Sequence, residues 1–90
     1  MAESIESMVR RALEEAVGAG ATINLEESRP DGKVSGLVLS SSFAQLSPSE
    51  RQDLIWRELD KHLTPYERTR VVFIVTDTPE EYAAITEATA

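Results

Sequence analysis

Three times this chain writes a hydroxyl residue, then a proline and, three places after the hydroxyl, a glutamate: SPSE at 47–50, TPYE at 64–67 and TPEE at 78–81. Each is a complete start signal for a helix. The hydroxyl accepts a backbone N–H of the first turn, proline fills a site whose N–H has no partner, and the glutamate returns a bond to the cap residue. Three helix origins are thereby pinned in the second half of the chain. Whatever lies between them is a connection or a strand.

The first signal opens a helix over 48–63 that buries Leu54, Ile55, Leu59 and Leu63, and Pro65 prevents its continuation. The second makes one short turn. After it, VVFIV at 71–75 is an apolar, β-branched and aromatic run of strand length, read as a central strand buried on both faces. The third signal starts a closing helix in which Tyr82, Ile85 and Ala88 face inward, with residues 86–90 expected to fray.

The first half completes the order. Ile5, Met8, Val9, Ala12, Leu13, Ala16 and Val17 recur at steps of three and four, the stripe of an amphipathic helix ended by the GAG at 18–20. Residues 1–3 are expected to fray ahead of it. Ala21, Ile23 and Leu25 then alternate with Thr22, Asn24 and Glu26, the period of a strand with one buried face. RPDGK at 29–33 supplies the turn, proline presetting one backbone angle and Gly32 tolerating positive φ, and an antiparallel strand follows over 33–40. The expected fold is one α+β domain over 1–90, with a three-stranded mixed sheet carrying helices on one face, in the order α-β-β-α-(short α)-β-α.

Composition narrows the function. Hydrophobic residues at 41% allow a core without a disulfide or metal, and the absence of cysteine excludes thiol chemistry and thiolate metal sites. No stretch reads as a signal peptide or a membrane span, so a cytoplasmic protein is expected. Nine basic against sixteen acidic residues leave a net charge of −7, which disfavours nucleic acid. The charge is uneven, because Arg51, Arg57, Lys61, Arg68 and Arg70 all fall in the second half.

No catalytic constellation emerges, and the chain is read as a non-enzyme without a cofactor. His62 stands alone in the last turn of the long helix, where a cation suits the helix dipole. Ser40, Ser41 and Ser42 lack a base and read as a polar exit from the second strand, and the adjacent pairs Glu26–Glu27 and Glu80–Glu81 diverge rather than share a proton. Trp56 reads as a core or groove-edge aromatic. From the residues alone this is a small interaction domain.

The spacing also carries a family pattern. Ser40 three before Phe43, Arg51 eight places on, the triplet Leu54-Ile55-Trp56, and a strand running into Thr78-Pro79-Glu80-Glu81-Tyr82 together resemble the BolA family of small stress-associated proteins. The resemblance implies a fold similar to class II KH domains and a non-enzymatic role as partner of a monothiol glutaredoxin, often across a shared [2Fe–2S] cluster. Some such proteins act as transcriptional regulators. The chain departs from the pattern where ligation is concerned. Arg70 stands where the resemblance expects the cluster-ligating histidine, and a guanidinium stays protonated with no lone pair to offer. Gln52 replaces another usual histidine, and the loop between the first two strands offers neither histidine nor cysteine. The resemblance therefore points to a regulator, monomeric or a weak dimer, that binds a glutaredoxin-like partner through Arg51, Trp56, Arg68 and Arg70 without holding a metal. Arg70 also admits the plainer reading of a strand-edge cation paired with nearby acids. The alternative function is nucleic-acid binding through Arg51, Arg57, Lys61, Arg68 and Arg70, although no GxxG clamp is present.

Overall fold

All three hydroxyl–proline–glutamate signals start helices, each through reciprocal bonds between the hydroxyl residue and the glutamate. A computed structural model describes residues 4–18, 20–28 and 31–89. In it α2 (Pro48–His62) begins with Ser47 accepting from the Glu50 N–H while Glu50 accepts from the Ser47 N–H, and α3 (Pro65–Arg68) repeats this with Thr64 and Glu67. Thr78 and Glu81 exchange the same two bonds, at 3.1 and 2.9 Å, ahead of α4 (Pro79–Thr89). The Ser47 bonds hold the Glu50 carboxyl below its ordinary pKa, the backbone N–H contributing most.

The N-terminal half follows its pattern. Helix α1 (Ile5–Val17) is capped by Ser4, buries Val9, Ala12 and Leu13, and ends at Gly18, whose φ of +84° is open to glycine at no steric cost. Strands β1 (Thr22–Glu27) and β2 (Val34–Leu39) pair antiparallel, and β2 pairs parallel with β3 (Val71–Asp77), giving a mixed sheet in the order β1-β2-β3. Helices α1 and α2 pack on each other and on one face of this sheet. The fold is α+β in the order read from the sequence. The core lies between the two layers, with Val9, Leu13, Val34, Val38, Phe43, Ile55 and Leu59 fully buried. Among the described residues no helix is long and apolar enough to cross a membrane.

Three expectations are corrected. Strand β3 is an edge strand and not a central one, because β2 occupies the middle of the sheet. Only Val71, Ile74 and Thr76 of β3 turn inward, while Val72, Phe73 and Val75 are exposed. A bulge explains the odd spacing: Val34 pairs with Val71 but Ser35 pairs with Phe73, so Val72 is an extra residue that resets the alternation. Tyr82 and Ile85 do not face inward either, being 40% and 55% exposed. Helix α4 packs on the sheet chiefly at β3, and its side chains from 79 to 87 are all exposed. The serines after β2 form more than a polar exit. Ser41–Gln45 is a 3-10 turn capped by Ser40, and it delivers Phe43 into the core. Residues 1–3, 29, 30 and 90 and the Ala88 side chain, on which parts of the expected turn, fraying and packing fall, lie outside what is described.

Candidate functional site

The end of the molecule where α2, α3 and the start of β3 meet gathers the aromatic and cationic side chains. Thr64 and Glu67 fix the first turn of α3, and its four residues turn the chain so that Arg68 lies back along α2. The Arg68 guanidinium stacks 5.3 Å from the centre of the Trp56 ring and is aimed by Asp60, whose carboxylate accepts from its Nε at 3.0 Å. With Pro65, Thr69 and Val71, these two side chains line a shallow depression of about 290 Å³. Tyr66 stands beside it, 70% exposed. Exposed Trp, Tyr and Arg are the residue types that anchor protein interfaces, since each offers a large rigid surface together with a directed donor.

Trp56 is oriented from beneath. Its Nε1–H donates to Gln52 Oε1 at 3.0 Å, and Gln52 Nε2 donates in turn to the Ile74 carbonyl at 2.8 Å and to Thr76 Oγ1 at 3.1 Å. Gln52 thus joins the indole to the backbone of β3. It also occupies a carbonyl on the open side of an edge strand, which would otherwise be available for pairing with another chain.

Arg70 leads into β3 and reaches across to the β1–β2 connection. One guanidinium nitrogen donates to the Asp31 carbonyl, and Nη1 lies 3.4 Å from the Tyr66 hydroxyl. Gly32, at φ +69°, makes room for it: a Cβ there would stand 2.7 Å from Arg70 Nη2. The position from which the sequence pattern expects a metal ligand therefore holds a cation that braces the neighbouring loop. Among the described residues no three His, Asp or Glu side chains gather where they would hold a metal.

The structure separates Arg51 from the other three. Arg51 is only 6% exposed and is spent on internal bonds. Its Nε donates to the carbonyls of Phe43 and Leu46 at 3.0 and 3.1 Å, Nη1 donates to the Thr76 carbonyl at 3.3 Å, and the fork grips Glu81 at 2.7 and 3.0 Å. The bond to Glu81 raises the Arg51 pKa against the opposing effect of desolvation. The same bond, with help from the Thr78 N–H, lowers the Glu81 pKa from 4.5 to about 2. Arg51 is a tie between the 3-10 turn, α2, β3 and α4. Trp56 and Arg68 are brought together at the surface, while Arg70 turns to the β1–β2 connection and to Tyr66.

The remaining basic positions do not join them in a stripe. Lys61 pairs with Glu58 at 3.2 Å and Arg68 with Asp60, while Arg57 is exposed on α2. His62 lies 3.9 Å from Glu58. Sequence reasoning missed Gln52 and Tyr66 as parts of this surface. The signal for Gln52 was present in its spacing of four from Trp56, which places the two side chains on one helix face.

The fold and this surface define a small α+β domain with an aromatic and cationic shelf at one end of its helical layer. Comparison with protein-family models, with curated proteins and with solved structures gave no match.

Proposed function

We propose that this chain is a BolA-like interaction module, acting in the cytoplasm as a regulatory, non-enzymatic protein, monomeric or weakly dimeric, that binds a monothiol-glutaredoxin-like partner without ligating an iron–sulfur cluster itself. The observation that carries the reading is the shelf of Trp56 stacked by Arg68, next to the α3 turn that carries the exposed Tyr66, whose hydroxyl meets Arg70. Interface anchors of this kind serve recognition and need no metal. The bonds made by Arg70 explain how a scaffold of this pattern stays closed without a ligand at that position: the guanidinium holds the β1–β2 connection directly. The acid-rich chain gives the two arginines a local contrast, which suits an acidic patch on a partner.

The test is a titration of isotope-labelled protein with cluster-loaded monothiol glutaredoxin, following amide shifts and visible absorption together. Shifts at Trp56, Arg68 and Arg70 with an unchanged cluster spectrum are expected, and Arg70→Glu is expected to weaken binding about tenfold, the scale of one interface anchor. Unchanged affinity in that variant overturns the assigned surface. A cluster spectrum remodelled by the natural sequence overturns the absence of ligation.

A further inference from the structure

The two edges of the sheet are not alike. On β3 the carbonyls of Ile74 and Thr76 are answered from α2 by Gln52 at 2.8 Å and Arg51 at 3.3 Å, which blunts that edge against another strand. Strand β1 is the other edge. The Ser28 N–H donates to the Lys33 carbonyl at 2.8 Å, and bonded pairs alternate along an antiparallel ladder. Thr22, Asn24 and Glu26 therefore bond to β2, while Ile23, Leu25 and Glu27 aim their N–H and C=O groups outward. Among the described residues Arg10 alone answers this row, its Nη1 donating to the Ile23 carbonyl at 3.2 Å. The outward groups of Leu25 and Glu27 are left to water or to another strand.

An unpaired strand edge takes an extended strand, and the side chains say which one. Ile23, Leu25 and Glu27 pair with Val38, Gly36 and Val34, so they point to the helix side of the sheet, where Arg10 lies. Ile23 and Leu25 pack on the core yet are only partly buried. Two copies of β1 running antiparallel about a two-fold axis at Leu25 bring Leu25 against Leu25 and set each Glu27 opposite Ile23 of the other copy, beside the Arg10 that guards it. Asn24 then faces Glu26, and no carboxylate meets a carboxylate. An axis at Glu26 or Glu27 opposes identical carboxylates, and one at Ile23 or Asn24 carries Glu27 past the arginine. The acid now nearest Arg10, Glu6, stands 4.0 Å away and holds it loosely.

We propose that this chain self-associates through β1, in an isologous dimer whose two sheets join into one, with Leu25 on the axis and Arg10 of each copy turned from the Ile23 carbonyl to Glu27 of the other. A ladder this short buries much less than the about 1,200–2,000 Å² of a stable interface, and the net charge of −7 on each copy opposes the approach. The dimer is therefore weak, with a Kd of about 10 µM to 1 mM. It lies at the sheet edge away from the Trp56 shelf, so it neither rests on the glutaredoxin reading nor falls with it.

The test is sedimentation equilibrium of the full chain from about 10 µM to about 1 mM, with amide shifts and amide exchange followed over the same range. Self-association is expected to shift the amides of Ile23, Leu25 and Glu27 and to slow exchange of the outward N–H groups of Leu25 and Glu27. Arg10→Glu and Glu27→Arg are each expected to weaken it about fivefold or more, since two exposed pairs change sign in one dimer. An equimolar mixture of the two variants is expected to regain the natural affinity, because across the axis the two substituted positions then meet each other and the two natural residues do the same. A chain that stays monomeric to about 1 mM overturns the proposal. So do concentration-dependent shifts centred on β3, single variants that associate as the natural chain does, or a mixture no tighter than either variant alone.

Discussion

Replacing Gln52 by leucine tests how the surface is built. The side chain keeps its approximate size while three hydrogen bonds disappear, those to the Trp56 indole, the Ile74 carbonyl and Thr76 Oγ1. Each is worth about 0.5–1.5 kcal/mol net, and Thr76 is buried, so the loss is about 3 kcal/mol. A 90-residue chain at about 0.05–0.15 kcal/mol per residue has about 5–13 kcal/mol in all, so the variant folds but is visibly weaker. With a urea m-value of about 1.5 kcal/mol/M, the midpoint is expected to fall by about 2 M. The chain holds one tryptophan, so the same titration reports on the site. Emission from Trp56 in the folded variant is expected to move to longer wavelength as its N–H turns to water. A midpoint shift below about 0.4 M at unchanged m, which is about 0.6 kcal/mol, together with unaltered emission, refutes the claim that Gln52 ties the indole to β3.

Further outcomes follow from the same structure. The Glu81 carboxyl is held at about 2 against 4.5. A depressed folded pKa contributes stability that is complete above about pH 4.5 and lost as pH falls through 2, so urea midpoints are expected to decline across that window and Glu81→Gln to flatten the decline. Gly32→Ala places a methyl at φ +69° and 2.7 Å from the Arg70 guanidinium. It is expected to cost about 1–2 kcal/mol, about 5–10 °C in Tm by calorimetry, and to shift the amides around Arg70. Phe43→Ala removes the largest fully buried side chain among the described residues, and circular dichroism in urea is expected to show a loss of about 3–5 kcal/mol, at least as large as that of the Gln52 variant.

Much of the fold was legible in local chemistry. The three start signals act within four residues of themselves, so neighbouring sequence sufficed to place α2, α3 and α4. The stripe of α1 and the alternation of β1 were equally local, and Gly18 and Gly32 hold the positive φ angles that a helix stop and a turn require. The aromatic and cationic surface was legible in part. Trp56, Arg68 and Arg70 could be singled out by type, but the meeting of Trp56 with Arg68 depends on the turn made by α3.

What the sequence by itself determined, then, is the set of α-helices and strands and their order, though not the 3-10 turn at Ser41–Gln45, because caps, periodicities and turns are written in neighbouring residues. Tertiary structure alone decided how those elements use their side chains. The apolar run at 71–75 has the composition of a central strand, yet sheet order places β3 at the edge, and the bulge at Val72 divides its side chains between core and open face. Arg51 and Arg68 look alike in the chain, and one is buried in a bonding fork while the other lies across an indole. Glu81 caps its helix as the local signal requires, and only the approach of α2 gives it a second bond to Arg51. These outcomes depend on partners 12 to 38 residues away, and no local pattern encodes which surfaces distant elements will meet.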